Sequence, residues 1–194
     1  MALALFTPPT AEPVTLEEAK AHLRVESNGD DLYISMLVRH AREYVESPGT
    51  NRALMPQTWD WTFDCFARWD LLVPRPPLQS VTSLKYLDTG GVQQTLSSSL
   101  YIVDTVSQPG RITPIPTPTS CWPETFPRIN AVTVRFVAGY LDKNAVPVGL
   151  KHLILLFVSH WYEHREPYAE TAALIKIPYA LESLLWQFRN VGMV

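Results

Sequence analysis

The sequence has few of the residues that build disulfide frameworks or nucleotide-binding loops. It contains two cysteines in 194 residues, Cys65 and Cys121, which lie far apart and form no C-x-x-C pair. This pattern favours a reducing compartment over a disulfide framework, and we expect both residues to be buried free thiols. The eight glycines are scattered, and neither a G-x-G-x-x-G string nor a Walker loop occurs, which excludes the common nucleotide-binding motifs.

The sequence also lacks a basic excess and a long apolar run. The net charge is -3, from 16 Lys and Arg against 19 Asp and Glu, so any contact with nucleic acid is predicted to be loose or indirect. The most apolar run, residues 153–158, is far shorter than the roughly 20 residues that span a bilayer, and we predict no membrane contact. No cationic stretch precedes the short apolar segment 2–6, so we expect no secretory signal.

Two helices are predicted near the start of the chain. The string T-L-E-E at residues 15–18 is a capping box, in which each end residue's side chain bonds the other's backbone amide, and it predicts a helix over residues 16–24. Asp30 or Asp31 caps a second helix, whose apolar residues recur at spacings of three and four and which ends at Pro48-Gly49. Each helix has one apolar face and needs a partner surface to be stable.

Two helices are also predicted near the end of the chain. Pro147 fits the first turn of a helix, because its missing amide hydrogen costs nothing there. This helix is apolar on two sides, which predicts either a central core helix or one that packs on its own domain and on a neighbouring subunit. Leu155 and Tyr162, on the second side, are the candidates for subunit packing. A last amphipathic helix is predicted over residues 178–190, with Leu181, Leu184, Leu185 and Phe188 directed inward.

The middle of the chain has the alternating pattern of strands. From Gln57 onward the apolar residues Trp59, Trp61, Phe63 and Cys65 alternate with polar ones, as a half-buried strand requires. Further strands are predicted over residues 68–73, 81–87, 92–96, 101–104, 111–115 and 131–138, with a hairpin turn at 88–91. We therefore predict an α+β fold, in which N- and C-terminal helices (residues 1–56 and 141–194) form a helical core and residues 57–140 form an inserted antiparallel β-rich subdomain.

Residues 109–127 contain six of the 17 prolines and are predicted to form an extended surface loop. Such a loop is a natural place for a partner to bind. Trp122 and Phe126, within it, are the candidates for contact with a partner protein. Trp186, on the last predicted helix, is another candidate for an interface because tryptophan supplies a large apolar surface.

Charged residues elsewhere are predicted to be solvated. Arg39 and Arg42, beside two glutamates on the second helix, indicate a salt-paired helix face instead of a phosphate site. Asp60 and Asp64 share the polar face of one strand about 13 Å apart, which is too far for paired acid–base catalysis.

One string suggests an alternative from another functional class. His160-Trp161-Tyr162-Glu163-His164 matches H-x-x-E-H, in which two histidines one turn apart bind zinc and the glutamate activates water. A small zinc hydrolase would need a third ligand, and the candidates Glu166, Glu170 and Glu182 are all close in sequence. Two histidines and a glutamate near a helix end are more typical of a hydrogen-bonded surface.

Several separated strings, which span most of the chain, resemble the head-tail connector, or adaptor, proteins of tailed phages, prophages and gene transfer agents. The likeness is to the longer branch of that family, which carries a β-rich insert. The strings are 13–25 (PVTLEEAKAHLRV), 41–45 (AREYV), 72–81 (LVPRPPLQSV), 85–88 (KYLD), 101–104 (YIVD), 109–112 (PGRI), 134–140 (VRFVAGY) and 160–162 (HWY) followed by Arg165-Glu166.

The resemblance implies a structural protein of the virion and not an enzyme. Its members form a ring, here expected to be dodecameric, that docks beneath the portal protein of the DNA-filled head and presents a surface to the stopper or tail-completion protein. Double-stranded DNA would pass through without specific binding, and neither a cofactor nor a metal is implied. The chain would act at the head-tail interface of the virion and in the host cytoplasm during assembly. The portal contact is expected in the C-terminal region, on Tyr179, Leu184, Trp186, Phe188 and Arg189.

A third reading is a host-facing β adhesion module. Such a module would expose the β-rich insert and bind its target without forming a ring. Ring formation therefore separates this reading from the connector.

Overall fold

Helices from both ends of the chain form one unit, and strands from the first ten residues and from the middle of the chain form another. The computed structural model describes residues 1–66, 70–115, 122–165 and 179–190. The β unit is drawn from Met1–Thr10 and Pro56–Leu141, and the helical unit from Ala11–Met55 and the described part of Asp142–Val191. The predicted α+β class is confirmed. Among the described residues, no helix is both long enough and apolar enough to cross a membrane.

The helical unit begins with the predicted capping box. The Thr15 amide donates to Glu18 Oε2 at 2.7 Å, and the Glu18 amide donates to Thr15 Oγ1 at 3.2 Å. The first four backbone amides of a helix have no hydrogen-bond acceptor within the helix. The capping box supplies an acceptor for two of them. The helices of this unit are α1 (Leu16–Leu23), α2 (Asp31–Tyr44), α3 (Val148–Glu163) and α4 (Tyr179–Phe188).

Helix α2 ends earlier than its sequence predicts. The sequence places the stop at Pro48-Gly49, but the α-helical bonding ends at Tyr44 and a π-helical turn follows over Val45–Thr50. Ser47 has an extended backbone inside this turn, which therefore bends instead of continuing the helix. We refer to residues 45–50 as the π turn.

A buried ion-pair network joins α2 to the π turn. The Arg42 side chain, which is 5% exposed, donates from Nε to Glu12 and from Nη1 to Glu46, both at 2.7 Å. Glu46 also accepts the amide of Leu54 at 2.7 Å. The prediction that Arg42 lies on a solvated face is wrong, because Arg42 lies on the buried side of the helix with Ala41 and Val45. The neighbouring Arg39–Glu43 ion pair is exposed, as predicted.

The β unit contains two antiparallel sheets. The five-stranded sheet has the order β1-β2-β8-β4-β5, and the three-stranded sheet has the order β3-β7-β6. The strands are β1 (Ala2–Thr7), β2 (Gln57–Phe63), β3 (Leu71–Leu72), β4 (Leu78–Leu87), β5 (Gln93–Thr95), β6 (Tyr101–Asp104), β7 (Arg111–Pro114) and β8 (Val132–Ala138). The predicted 88–91 hairpin turn is present between β4 and β5, where Asp88 accepts the amides of Gly90 and Val92.

Strand β1 is absent from the sequence-based prediction. It pairs with β2, with Ala2 opposite Thr62 and Leu5 opposite Trp59, so the first ten residues belong to the β unit and not to the helical core. It lies at a sheet edge, where its apolar residues other than the half-buried Leu3 are exposed. The run Ala-Leu-Ala-Leu-Phe lacks the apolar–polar alternation that marks a half-buried strand.

The central strands separate an apolar face from a charged one. On β8, Val132, Val134, Phe136 and Ala138 are buried, while the intervening Arg135 turns to the other face. Arg135 makes a bidentate ion pair with Asp60, its cross-strand neighbour on β2, with both N–O distances at 2.7 Å. Asp60 therefore stabilises the pairing of β2 with β8 and is not merely a solvated surface residue.

Two further expectations concern Cys65 and the 68–73 strand. Cys65 lies beyond the end of β2 and is exposed, so the prediction that it is buried is wrong; Cys121 lies outside the described residues. Of the predicted 68–73 strand, Leu71–Leu72 form β3, and residues 67–69 lie outside the described part of the chain.

Asp104 closes the turn between β6 and β7. Its carboxylate accepts the amides of Val106 and Ser107, the Ser107 hydroxyl at 2.7 Å and Nε of Arg111 at 2.9 Å. These bonds, led by those from Ser107, hold the pKa of Asp104 far below its usual range.

We expect replacement of Arg42 by methionine to destabilise the protein by about 3–5 kcal/mol, because Glu46 would be left charged and buried without its cation. The control is Arg39→Met, which removes only an exposed i,i+4 pair and should cost less than about 1 kcal/mol. Urea unfolding followed by circular dichroism measures both free energies of unfolding. Similar losses for the two variants would contradict the buried network.

We expect the effect of Asp104→Asn on stability to depend on pH. The folded pKa is lowered, so the carboxylate's contribution is present above its unfolded pKa of about 4 and is lost as pH falls through the folded value. The variant should have a lower urea midpoint than the wild type at pH 7, and the difference should shrink steadily below about pH 4. A difference that is the same at pH 7 and pH 2 would show that the charge of Asp104 is unimportant.

Candidate functional site

Helix α4 is held against the rest of the helical unit through two glycines. A Cβ atom on Gly149 of α3 would lie 2.6 Å from Cζ of Phe188. A Cβ atom on Gly49 of the π turn would lie 2.9 Å from both a Leu185 methyl carbon and the Tyr44 carbonyl oxygen. A side chain at either position would force the Phe188 ring, the Leu185 methyl or the Tyr44 backbone to move, so the close approach depends on glycine.

Hydrogen bonds fix the C-terminal end of α4. Arg52 Nε donates to the Phe188 carbonyl at 2.7 Å, and the Asn190 amide donates to the Thr50 carbonyl at 2.8 Å. The Arg52 guanidinium also places a positive charge at the negative end of the helix dipole. Thr50 and Arg52 closely follow Gly49 in sequence, so one short segment supplies both the packing and the polar contacts.

A groove of about 280 Å³ opens between α4 and the π turn. We call it the α4 groove; its lining residues are Tyr44, Pro48, Gly49, Glu182, Leu185, Trp186 and Arg189. Trp186 is 62% exposed, and the Arg189 guanidinium carbon lies 4.7 Å from the centre of its ring, within range of a cation–π interaction. Neither Arg189 nor Glu182 forms an ion pair within the described part of the chain.

The structure separates the predicted C-terminal contact residues into two groups. Trp186 and Arg189 are exposed together in the α4 groove. Leu184 and Phe188 are half-buried, and Phe188 packs on Gly149 within the unit. Tyr179 begins α4, and its side chain lies outside the described part. The portal contact itself stays a prediction.

Trp122 and Phe126, the predicted partner residues of the proline-rich segment, differ in their surroundings. Trp122 is 8% exposed and stacks on Phe66, with ring centres 4.8 Å apart and an interplanar angle of 6°. Phe126 is 37% exposed, and its amide donates a hydrogen bond to the Leu87 carbonyl. Its ring lies close to Gly91, where an added Cβ atom would be 3.8 Å from it. Phe126 is therefore the more accessible of the two for a partner.

Two other exposed apolar residues lie close to Phe126 or its contact Gly91 in the sequence. Val92 follows Gly91 and precedes β5, and Ile129 lies in the segment between Phe126 and β8; both are exposed. We call Val92, Phe126 and Ile129 the hairpin tip. Of the predicted proline-rich loop, β7 occupies residues 111–114, and residues 116–121 lie outside the described part.

Tyr162, predicted to pack on a neighbouring subunit, takes part in contacts within the helical unit. Its hydroxyl donates to Asp30 Oδ2 at 2.6 Å, and the Arg165 guanidinium donates to the same oxygen at 3.2 Å. The hydrogen bond from Tyr162 lowers the pKa of Asp30. Asp30 directly precedes α2, but its carboxylate makes no capping hydrogen bond to the first turn of that helix. Leu155, the other predicted packing residue, is half-buried on α3.

The histidines of the H-x-x-E-H string lie at the end of α3. The rings of His160 and His164 are 5.1 Å apart, and burial, followed by the charge of His164, lowers the pKa of His160. Glu182 lines the α4 groove, and Glu166 and Glu170 lie outside the described residues. Within the described ranges, no three His, Cys, Asp or Glu residues cluster closely enough to hold a metal ion.

We expect Gly49→Ala to destabilise the helical unit by roughly 1–3 kcal/mol, because its Cβ meets the backbone oxygen of Tyr44, which cannot move aside cheaply. Gly29→Ala is the matched control, since a Cβ there meets nothing within 4 Å. Chemical unfolding measures both, and the control should be neutral or slightly stabilising. A tolerated Gly49→Ala would mean that the position of α4 does not depend on this contact.

The comparisons with known proteins support a shared fold. No protein-family model matches the sequence, and no curated protein sequence matches it. Two solved structures contain chains that align with a TM-score of 0.78 at 22% identity, over 100% of this chain and 98% of theirs: the neck of an empty GTA particle computed with C6 symmetry, and the virion of a native gene transfer agent (GTA) particle. A third, the neck of a native GTA particle computed with C12 symmetry, aligns with a TM-score of 0.73 at the same identity and coverage.

Proposed function

We propose that this chain is a head-tail connector, or adaptor, of a tailed phage or phage-like particle. It would be a structural subunit of a ring beneath the portal protein that joins the DNA-filled head to the stopper or tail. The observation that carries the proposal is the full-length likeness to chains of GTA particles, two of whose structures are described as necks. Because both chains are covered almost completely, the likeness includes the β unit as well as the helices.

Cyclic symmetry supports the ring. The neck structures that contain the similar chains were computed with C6 and C12 symmetry, and a twelve-subunit ring satisfies both. In a cyclic ring of this size, one surface of each subunit contacts a different surface of the next. Leu155 and Tyr162, both half-buried on α3, remain the proposed subunit-packing residues.

The charge balance supports a passive role toward DNA. With a net charge of -3, the chain has no basic excess to hold phosphates by counterion release. A conduit lined by such subunits would let double-stranded DNA pass without gripping it. As a structural connector, the chain would need neither cofactor nor membrane, and it would lie at the head-tail interface of the virion after assembly in the host cytoplasm.

Two exposed surfaces suit the two partners of such a ring. The α4 groove carries Trp186 and Arg189, and we assign it to the portal side together with the other predicted residues of the last helix, Tyr179, Leu184 and Phe188. The hairpin tip carries Phe126, and we assign it to the stopper or tail side. Exposed aromatic and arginine side chains are the residue types that dominate protein–protein binding energies.

The test is cryo-electron microscopy of the chain mixed with its cognate portal protein. We expect a ring of this chain stacked on the portal, with the last helix at the contact. The portal is included because a ring that forms only on that template would not appear with the chain alone. No association under conditions in which both proteins are folded would overturn the proposal.

A truncated chain that ends at residue 177 distinguishes the two surfaces. Loss of portal binding would support the assignment of the last helix. Unchanged binding would move the portal contact to the β unit. Circular dichroism checks that the truncated chain is folded, and Trp186→Ala replaces the truncation if it is not.

A further inference from the structure

We propose that the α4 groove binds a protein segment in which a large apolar side chain stands between a basic and an acidic residue. The inference rests on the proposed function for one point only, which is the identity of the neck protein that carries this segment. It concerns a groove formed entirely within the helical unit, so it can be tested on this chain alone.

The order of charges along α4 defines the ligand. Glu182 lies near the start of the helix, Trp186 follows one turn later, and Arg189 follows at the end. At a rise of about 1.5 Å per residue, the seven positions from Glu182 to Arg189 span about 10 Å along the axis. An extended segment covers that length in about three residues, so the basic and acidic residues of the ligand should be three positions apart.

The residue types of the groove favour a protein over a nucleic acid. Tyr44, Trp186 and Arg189 belong to the three residue types that are enriched at the energetic centres of protein interfaces. A phosphate backbone would gain one cation, Arg189, but would be repelled by Glu182 in the same groove. The groove also has a volume suited to one large side chain with its adjoining backbone.

The groove is formed before any ligand binds. Gly49 provides part of its wall without a side chain, and the Arg52–Phe188 and Asn190–Thr50 hydrogen bonds fix the adjacent end of α4. The stacked Arg189 is held over one side of the Trp186 ring. Preorganisation of this kind lowers the entropy that binding must offset.

Charge complementarity supplies the specificity. Glu182 makes no ion pair or hydrogen bond in the described structure, and the side chain of Arg189 contacts the Trp186 ring there. Both charges are therefore available to a ligand. An apolar side chain that covers Trp186 would remove its exposed ring from water and also shield the two ion pairs from solvent.

The experiment uses three blocked synthetic hexapeptides with one phenylalanine between two charged positions that are three residues apart. The charged pair is Lys/Glu, Lys/Lys or Glu/Glu, and a fourth peptide has alanine in place of phenylalanine in the Lys/Glu version. Titration into the ¹⁵N-labelled full chain is followed by the Trp186 indole resonance, which Trp186→Phe identifies. We expect the Lys/Glu peptide to bind best, and the alanine peptide to bind at least about fivefold more weakly.

Charge reversal in the groove should change the preferred peptide. The Glu182→Lys variant should bind the Glu/Glu peptide best, and the Arg189→Glu variant should bind the Lys/Lys peptide best. In each variant the preferred peptide should bind roughly three- to tenfold more tightly than the Lys/Glu peptide, because one exposed ion pair with the Lys/Glu peptide is replaced by repulsion. Gln187→Lys is the matched control, because Gln187 is exposed on α4 but does not line the groove, and its peptide preference should equal the wild type's.

The outcomes separate this inference from the proposed function. No peptide binding at millimolar concentration, preferences that the variants leave unchanged, or tighter binding of a dT6 oligonucleotide would each overturn the inference. A ring on the portal together with such a result would leave the connector proposal standing. Peptide preferences that follow the charges in a chain that forms no ring would support the groove and overturn the connector.

Discussion

The buried guanidinium of Arg42 holds the helical unit together at one point. It pairs with Glu12 before the first helix and with Glu46 in the π turn, and Glu46 in turn holds the amide of Leu54. A charge removed from water must keep its partners, so three stretches of chain are tied to one position on α2. The π turn held there carries Gly49 and Thr50, which receive α4, and α4 presents the groove. The exposed groove therefore depends on a buried ion pair whose residues do not line it.

A network of this kind acts more on geometry than on total stability. Two buried ions lose much of their hydration energy, and their attraction offsets that loss only when the hydrogen bonds are well formed. Here the carboxylates approach the guanidinium at 2.7 Å, and Glu46 also accepts a backbone amide. An apolar substitute for the whole network could fill the same volume, but it would not impose the same directions on the turn. The turn's position matters because Gly49 lies so close to Leu185 of α4 and to the Tyr44 carbonyl that a side chain there would meet both.

The similar chains of GTA particles share the fold of this chain at 22% identity. A shared architecture does not by itself define partners. The two candidate surfaces differ in chemistry. The hairpin tip is apolar, whereas the α4 groove combines an exposed indole with one charge of each sign. Such unlike surfaces would suit the two different partners of the proposed connector.

Elements whose signals are local can be predicted from the sequence. The capping box at Thr15, the Asp88 hairpin turn and the alternation along β8 are each set by residues within a few positions of one another. Helical and strand periodicity likewise locates α2, α3, α4 and most strands, and the apolar stripe on α3 identifies its buried residues. The separated strings that resemble connector proteins are also a property of the sequence alone.

Which of these elements meet is settled by contacts between residues far apart in the chain. The pairing of β1 with β2 joins residues about 60 positions apart, and nothing in the uncharged first strand specifies that neighbour. Arg42 and Arg39 look alike in sequence, but one turns toward Glu12 and Glu46 and is buried while the other stays in water. Trp122 becomes core through Phe66, and Trp186 stays exposed because α4 turns Leu181 and Leu185 inward. Burial is a property of the partner surface, and a local pattern does not contain that partner.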